Sequence, residues 1–219
     1  GGLATTGAGP RLKERAMNRQ LVLASNNAGK LAELRALLAP LRVQLIRQSE
    51  LNIPEAPEPH CTFVENALAK ARHASAQSGL PAMADDAGLC VDVLGGLPGV
   101  DTAHYAVQCG YPKGDEHNVT ALLARLQSET RRGASLVSTL VALRHAADPE
   151  PLIAVGRVTG VITHERRGTQ GFGFDPVMFI PELGMTFAEM PEAMKNAHSH
   201  LGRACQAMLA LMRERWGWT

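Results

Sequence analysis

The sequence predicts an α/β fold, and three observations support this class. An apolar run at 20–24 leads through a polar loop into a helical pattern, an order that is typical of α/β proteins. A helical stretch at 62–79 then carries the chain to another apolar run near residue 81, which indicates a βαβ-like crossover. Two long strand patterns, 135–143 and 152–162, are separated by a proline-containing turn and are expected to pair antiparallel.

Composition limits the class of function. The 219 residues include 22 basic and 21 acidic side chains, so the net charge of +1 provides no field that would attract nucleic acid. No apolar run approaches the roughly 20 residues that cross a bilayer, and the N-terminus lacks the plan of a signal peptide. We therefore expect a cytoplasmic protein with no nucleic-acid and no membrane partner. The four cysteines are far apart and are expected to be free thiols: Cys61, Cys90, Cys109 and Cys205.

The first 16 residues are small, polar and aperiodic, and we expect them to form a disordered leader or extension. Met17 has the position of a natural start, because the first apolar strand follows at once. Residues 17–219 are accordingly expected to form a single domain that is long enough to bury a substantial core.

A polar loop, SNNAGK at 25–30, connects the first strand to a helix whose leucines recur at helical spacing until Pro40. A helix N-terminus presents free N–H groups, and Lys30 adds a positive charge, so the loop suits phosphate oxygens. An ordinary capped helix with a solvated lysine would explain the same residues. The loop is not a Walker A motif, because Leu31 occupies the position of the hydroxyl that binds magnesium. Any magnesium is therefore expected to bind elsewhere.

A proline-rich acidic loop at 54–60 carries Glu55 and Glu58. Prolines stiffen this loop, so its carboxylates are expected to be held in place. In the helix that follows, Thr62 and Glu65 have the spacing of a capping box, and a glycine closes the helix. A capping role alone would explain Glu65.

The other motifs of the sequence are arranged around two adjacent carboxylates, Asp85 and Asp86. They end an apolar run and are followed by Ala87 and Gly88, which predicts a strand end with a small-residue turn. Adjacent carboxylates at the edge of a buried strand are unfavourable unless a cation, hydrogen-bond donors or a shared proton offsets the cost. A turn in which one aspartate bonds its own backbone is the alternative.

A loop at 168–176, GTQGFGFDP, combines three glycines, two phenylalanines and one aspartate. Glycine lets the backbone approach a ligand closely, and aromatic faces can stack on a base. The remaining predicted elements are a strand at 43–46, a glycine and proline turn region at 95–106, a helix at 116–127 and a final amphipathic helical region from Pro191.

Four segments together resemble one family, the inosine triphosphate pyrophosphatases, which hydrolyse non-standard purine nucleoside triphosphates such as ITP, dITP and XTP. SNNAGK is similar to the family's phosphate loop, DDAGLCVDVLGGLPGV to its central acidic motif, GFGFDP to its nucleotide-binding loop and KNAHSHLGRA to its C-terminal signature. The resemblance extends from about Leu21 to about Leu211. It implies the family's fold, an elongated mixed β-sheet with flanking helices that form two lobes around a central cleft, and it implies a homodimer.

The activity that the resemblance implies is magnesium-assisted attack of water between the α and β phosphates, which releases a nucleoside monophosphate and pyrophosphate. Asp86 matches the family's catalytic aspartate, and Asp85 supports it. Asp86 and Glu58 are the implied Mg2+ ligands, although Glu55 and Glu65 are rivals to Glu58.

The resemblance also implies which residues bind the purine nucleoside triphosphate. The lysines of the phosphate loop and of the C-terminal signature neutralise the triphosphate, which the polar loop cradles. Phe174 is expected to stack on the base, and core packing is a stronger alternative for Phe172 than for Phe174. Asp175 and His200 are expected to fix polar groups of the sugar and the base. The implied substrate-binding residues are Ser25, Asn26, Asn27, Ala28, Gly29, Lys30, Ala87, Phe172, Gly173, Phe174, Asp175, Lys195, His200 and Leu201.

Three positions depart from the family's pattern. Ala87 stands where a serine is usual, which removes a hydroxyl, and His104 stands where an arginine is common. Leu201 replaces the arginine that hydrogen-bonds the purine's keto oxygen in the family. We therefore predict a weakened preference for ITP and XTP over ATP.

Three other functions are alternatives. A related house-cleaning pyrophosphatase would act on other modified nucleotides, and a non-catalytic protein would bind a nucleotide without releasing pyrophosphate. Retention of both aspartates and both lysines argues against the non-catalytic protein. A phosphotransferase fits least, because the loop lacks the Walker hydroxyl.

Overall fold

The computed structural model describes residues 19–25 and 27–219. The predicted leader, residues 1–16, and the predicted start at Met17 lie outside the described residues. Asn26 of the predicted phosphate loop also lies outside them, so its predicted role stays a prediction.

The described part of the chain forms one seven-stranded sheet with helices on its faces. The strands are β1 (Gln20–Leu23), β2 (Gln44–Arg47), β3 (Ala82–Val91), β4 (Gly133–Leu143), β5 (Leu152–Ile162), β6 (Met178–Ile180) and β7 (Met185–Thr186). The helices are α1 (Ala28–Leu38), α2 (Phe63–Ser78), α3 (Tyr105–Gln108), α4 (Asp115–Arg125), α5 (Glu192–His198) and α6 (His200–Trp216).

The sheet is mixed, with the strand order β2-β1-β3-β4-β5-β6-β7. β1 runs parallel to β2 and to β3, and every other neighbouring pair is antiparallel. These pairings confirm the α/β class, the crossover through α2 and the antiparallel pair of long strands. The predicted bounds of β4, β5 and α4 differ from the observed bounds by at most two residues.

β3 was expected to end at its two aspartates, and this expectation is wrong. The strand continues through Ala87 and Gly88 to Val91 and pairs with β4 along its whole length. Gly88 is needed for close packing and not for a turn, because a Cβ there would lie 2.2 Å from the carbonyl oxygen of Gly99. Asp85 and Asp86 therefore lie in the middle of β3 and not at its end.

The edge of β3 next to the aspartates is open in the described structure. β1 pairs with β3 only through Val22 with Ala82 and Leu23 with Met83, and their last hydrogen bond runs from the Ala24 N–H to the Met83 carbonyl. Beyond that point β1 ends and α1 begins. The carboxyl end of a parallel strand beside an open edge is where α/β sheets commonly bind ligands.

Two apolar cores lie at the two ends of the sheet. One joins α1 and α6 to the strands around Leu21, Met83 and Leu140, and the other joins α4 to the strands around Leu89 and Ile162. A smaller alanine-rich cluster lies between α2 and the other face of β1 and β3. Four buried polar residues of β3 and β4 lie between the main cores: Asp85, Asp86, Ser138 and Thr139.

The predicted final helical region is two helices. Ser199 interrupts it with extended backbone, and its hydroxyl accepts from the Gly202 N–H at 2.9 Å, which caps α6. Gly156 of β5 then allows the start of α6 to contact the sheet, because a Cβ there would lie 1.9 Å from the His200 carbonyl oxygen. This close approach fixes the height of His200 above the sheet.

No helix in the described ranges is long and apolar enough to span a membrane.

Candidate active site

A cavity of about 510 Å³ opens at the free edge of β3, where β1 ends. We call it the acidic cleft. Five acids and three basic side chains line it: Glu55, Glu58, Asp85, Asp86 and Asp101, with Lys30, Lys70 and His104. Its other lining residues are Ala24, Ser25, Asn27, Gln48, Ala56, Ala87, Val100 and Ala103. The structure thus brings the predicted phosphate loop, acidic loop and acidic motif to one cavity.

Asp85 points to the face of the sheet that carries α1 and α6. Its side chain is buried, Lys30 Nζ lies 2.8 Å from Oδ2, and the Ser138 hydroxyl donates to Oδ1 at 2.6 Å. Burial alone would raise the pKa of Asp85, but the Lys30 charge and these donors outweigh it, so the pKa is lowered. Asp85 is therefore a permanently charged partner that holds Lys30 at the cleft.

Asp86 points to the opposite face, because successive side chains of a strand alternate. Its Oδ1 lies 3.8 Å from Lys70 Nζ, and its buried Oδ2 has no hydrogen-bond partner in the described structure. Burial raises the pKa of Asp86 to about 6, against the opposing charge of Lys70. A carboxylate with a free oxygen and a pKa near neutrality is suited to accept a proton.

Lys70 is a functional candidate that the sequence analysis missed. Its Nζ lies 2.7 Å from Glu58 Oε1 and donates to the Asp85 carbonyl oxygen at 2.7 Å. The signal was present, because Lys70 is one helical turn from both Asn66 and Ala74 on the buried face of α2. A lysine on the buried face of a helix indicates a charged partner.

The three candidate glutamates occupy different places. Glu58 and Glu55 line the acidic cleft, whereas Glu65 lies at the start of α2 and bonds Thr62 and His60. Glu58 is the glutamate that shares a cation, Lys70, with Asp86. Geometry therefore favours Glu58 over Glu65 as the second acid beside Asp86.

No three His, Cys, Asp or Glu side chains of residues 19–25 and 27–219 are grouped closely enough to hold a metal ion by themselves. Magnesium does not need such a cage, because it usually binds through one or two carboxylates together with waters and substrate phosphates. The Lys70 ammonium already lies between Glu58 and Asp86, which shows that this pair accommodates positive charge. Together with the unpartnered Asp86 oxygen, the donor set fits magnesium.

The predicted phosphate loop is a capped helix start. The Asn27 Oδ1 accepts from the N–H groups of Gly29 and Lys30, and the Ser25 hydroxyl accepts from the Asn27 N–H. Ser25, Asn27 and Lys30 line the acidic cleft, but Ala28 lines neither it nor any neighbouring cavity described below. Two of the amides that were expected to cradle phosphate are thus occupied by the Asn27 cap.

A second cavity, of about 150 Å³, adjoins the acidic cleft, and we call it the aromatic pocket. The two cavities share Asn27, Lys30, Ala87 and Ala103 as a common wall. The other lining residues of the aromatic pocket are Gly88, Thr102, Asp115, Asn118, Leu136, Phe172, Gly173, Phe174, Asp175 and His200. Ala87 lies in the common wall, and its methyl group supplies no hydrogen bond there.

The burial of the two phenylalanines is the opposite of what was expected. Phe174 is 3% exposed and packs in the second core with Leu89 and Val177, although its edge lines the pocket. Phe172 is partly exposed and lines the aromatic pocket on one side and a cavity of about 270 Å³ on the other. Phe172 is therefore the ring that is available for stacking.

Lys195 lies behind this ring and outside the acidic cleft. Its Nζ is 4.3 Å from the Phe172 ring centroid and donates to Asp175 Oδ2 at 2.6 Å. Asp175 also accepts from the Phe172 N–H, and burial raises its pKa despite the Lys195 charge. The predicted contact of Lys195 with the triphosphate does not fit this position, because Lys195 and Asp175 form a buried pair that holds the loop at 168–176, which we call the aromatic loop.

The adjacent residues His200 and Leu201, both predicted to bind the substrate, lie in different surroundings. His200 lines the aromatic pocket, and its Nδ1 has no hydrogen-bond partner within residues 19–25 and 27–219. Burial lowers its pKa to about 4, so the ring is neutral. Leu201 is 3% exposed in the first core, where it packs with Ala204 and Met208, so its predicted contact with the base is wrong. Successive helix residues point about 100° apart, so only one of the two reaches the pocket.

Glu33 is a second side chain that the sequence analysis did not single out. It is buried beside the 270 Å³ cavity, and the Ser199 hydroxyl donates to its Oε1 at 3.3 Å. Burial raises the pKa of this carboxyl. The sequence contained a signal for Glu33, because it is an acid among the leucines on the buried face of α1.

Comparison with known proteins gives consistent matches along the chain. The sequence model of the Ham1 family matches residues 21–211. A dITP/XTP pyrophosphatase from Albidiferax ferrireducens is 70% identical over 197 residues, which are 90% of this chain and 99% of that protein. A dITP/XTP pyrophosphatase from Delftia acidovorans is 68% identical and covers 90% of this chain and 98% of its own. Among solved structures, a HAM1 protein from Coxiella burnetii has a TM-score of 0.83 at 39% identity, over 90% of this chain and 99% of that chain.

Proposed function

Because the chain belongs to the Ham1 family, we propose that it hydrolyses non-standard purine nucleoside triphosphates, such as ITP, dITP and XTP, to the monophosphate and pyrophosphate. Relatives named dITP/XTP pyrophosphatase support this class of reaction. The single observation that carries the proposal is the pair Asp85 and Asp86 on the open edge of β3. Asp85 is neutralised by Lys30, whereas Asp86 has an oxygen that no described residue contacts by a hydrogen bond and a pKa of about 6.

The two adjoining cavities suit the two ends of a nucleotide. The acidic cleft has lysines and acids for a triphosphate with its cation, and the aromatic pocket has a stacking ring and neutral polar groups for a base. In this proposal the α phosphate lies near Lys30 and Ala87, which belong to the shared wall. Binding of the triphosphate would release the Asn27 side chain from the amides of Gly29 and Lys30, which then donate to phosphate oxygens.

Asp86 and Glu58 would hold Mg2+ in the acidic cleft. When bound, magnesium neutralises phosphate charge and polarises the phosphorus centre that water attacks. Lys30 and Lys70 add two positive charges on either side of β3, so two of the five acids of the cleft, Asp85 and Glu58, are already ion-paired when the triphosphate enters.

Asp86 acts as the general base in this proposal. Its free Oδ2 takes a proton from the attacking water while the water oxygen bonds to the α phosphorus. The bond from the α phosphorus to the bridging oxygen breaks, and pyrophosphate leaves with the electron pair. Lys30, fixed by Asp85, stabilises negative charge as it develops.

Base recognition is assigned to the residues that reach the aromatic pocket. Phe172 stacks on the purine, and the neutral His200 ring bonds a polar group of its edge. Asp175 and Lys195 hold the loop that carries Phe172.

We further propose a homodimer and a cytoplasmic location. The outer face of β5 leaves Ile153, Val155 and Val161 about half-exposed, and a second copy would bury them. Cys61 and Cys109 are exposed free thiols, which are typical of a reducing compartment.

The test is product analysis with ITP, XTP, GTP and ATP, with and without Mg2+, in water labelled with oxygen-18. We expect pyrophosphate and a monophosphate, with the label in the monophosphate because water attacks the α phosphorus. A diphosphate as the first product, or label in the pyrophosphate, would contradict the proposal.

A further inference from the structure

The α4 helix makes a hydrogen bond to the aromatic loop that the mechanism above does not use. Asp115, its first residue, accepts from the Gly173 N–H through Oδ2 at 2.9 Å. Gly173 lies between Phe172 and Phe174 in the wall of the aromatic pocket. A carboxylate outside the loop therefore fixes the loop's main chain at the point where the stacking ring is attached.

The same helix holds the loop at a second point. Arg166 Nη2 donates to the Glu116 carbonyl oxygen and to the Thr120 hydroxyl, both at 2.8 Å. The inner end of the loop is held separately by the buried pair of Lys195 and Asp175. The segment between these attachments contains Gly171 and Gly173 at positive φ.

Asn118 connects α4 to the opposite wall of the pocket. Its buried side chain accepts from the Ala106 N–H at 2.8 Å and donates to the Ala103 carbonyl oxygen at 3.2 Å. Ala103 lines both cavities. One turn of α4 is thus bonded to both walls between which a base would lie.

We propose that the start of α4 is a clamp that sets the width of the aromatic pocket, with Asp115 as a positioning residue for the base of the bound nucleotide. This inference rests on the proposed function. A glycine-rich loop has many conformations, and a ligand that must order it loses affinity by the cost of that ordering. The clamp removes that cost before binding, so its loss affects substrate affinity and leaves the chemistry at Asp86 intact.

The test compares three variants in steady-state kinetics with ITP. Asp115→Ala removes the acceptor and is expected to raise KM about tenfold, the worth of one charge-assisted hydrogen bond, with kcat within about twofold. Asp115→Asn keeps an oxygen acceptor and is expected to restore most of the affinity. Glu116→Ala is the matched control, because it removes the neighbouring acid of the same turn and keeps the main-chain carbonyl that Arg166 contacts.

A second readout separates the clamp from a general loss of structure. Inorganic pyrophosphate has no base to place in the aromatic pocket, so its inhibition constant is expected to be the same in Asp115→Ala and in the unmodified protein. A KM within about twofold of the unmodified protein would overturn the proposal. So would an equal rise in Glu116→Ala, or a parallel weakening of pyrophosphate inhibition.

Failure of the proposed function would be distinguishable. If the unmodified protein releases pyrophosphate from no triphosphate, calorimetric binding of ITP still tests the clamp. The clamp would be supported if Asp115→Ala bound ITP more weakly than the unmodified protein and Glu116→Ala did not. Equal binding of ITP to Asp115→Ala and the unmodified protein, or no binding to either, would overturn it.

Discussion

The two faces of β3 carry adjacent carboxylates in opposite electrostatic states. On the face toward α1 and α6, Asp85 has an ion pair, a hydroxyl donor and a lowered pKa. On the face toward α2, Asp86 has a lysine nitrogen at 3.8 Å, an oxygen with no hydrogen-bond partner among the described residues and a pKa raised to about 6. The pleat of the strand thus separates two residues that the chain joins, and each has its own surroundings. The surroundings of Asp85 keep its carboxylate charged, whereas those of Asp86 favour the exchange of a proton.

The largest expected effect is on turnover, and it tests whether Asp86 is the proton acceptor. Asp86→Asn keeps the shape of the side chain but removes its basicity and one metal contact, so kcat should fall by roughly two to four orders of magnitude. The measurement is pyrophosphate release from ITP, with nucleotide binding measured in parallel to establish that the fold is kept. A kcat within about tenfold of the unmodified protein would assign the base to another residue.

The next largest effect is on stability, and it tests the ion pair of Asp85 with Lys30. Asp85→Asn leaves the Lys30 ammonium without its partner, which should lower the free energy of unfolding by about 3 to 5 kcal/mol at pH 7. Because folding lowers the pKa of Asp85, its contribution is present above the unfolded value of 3.8 and is lost as the pH falls. Urea denaturation at pH 7 measures the change, and the double variant Asp85→Asn with Lys30→Met should recover part of it. A single variant as stable as the unmodified protein would mean that the pair is not structural.

A smaller effect of opposite sign is expected on the other face. Folding raises the pKa of Asp86 from 3.8 to about 6, so the folded state binds the proton more tightly and stability falls as the pH rises through this window. Asp86→Asn should therefore stabilise the metal-free protein by about 1 to 3 kcal/mol at pH 8 and by almost nothing at pH 3. Thermal unfolding at both pH values tests this, and a destabilised variant at pH 8 would show that the charge of Asp86 supports the fold.

The smallest effect distinguishes the two neighbours of Asp86. Lys70 lowers the pKa of Asp86 and Glu58 raises it, so Lys70→Met should move its titration to higher pH and Glu58→Gln should move it to lower pH. Each shift is expected to be about one unit or less, because both neighbours are partly screened by solvent. Carbon-13 NMR titration of the Asp86 carboxyl in the metal-free protein measures both. Shifts of the same sign would rule out this electrostatic account.

The sequence predicted the elements whose signals are local. Thr62 and Gly79 mark the two ends of α2, and a proline-containing turn at 148–151 precedes the strand pattern of β5, so these elements were predicted almost to the residue. Ser199 was a cap as well, but its signal lay inside a longer amphipathic pattern, and the break between α5 and α6 was missed.

Contacts between distant segments were predicted less well, because residue type does not specify which face a side chain takes. Lys70 was overlooked since its partners, Glu58 and Asp86, are 12 and 16 positions away. Leu201 was placed at the base by resemblance to a motif, although in α6 it points into the core. The choice between Phe172 and Phe174 depended on loop geometry, which the sequence GFGF does not determine.

The short contact between β1 and β3 has a consequence for the solubility of the protein. An unpaired strand edge is a template on which another chain can add a strand and begin aggregation. Here the open stretch of β3 is bordered by charges on both faces, and the Lys70 ammonium occupies the carbonyl of Asp85 that a foreign strand would need. A strand edge without these charges would associate more readily with other chains. The residues proposed to bind phosphate are therefore also expected to protect the newly folded chain against self-association, and variants that neutralise them are expected to precipitate at lower concentration than the unmodified protein.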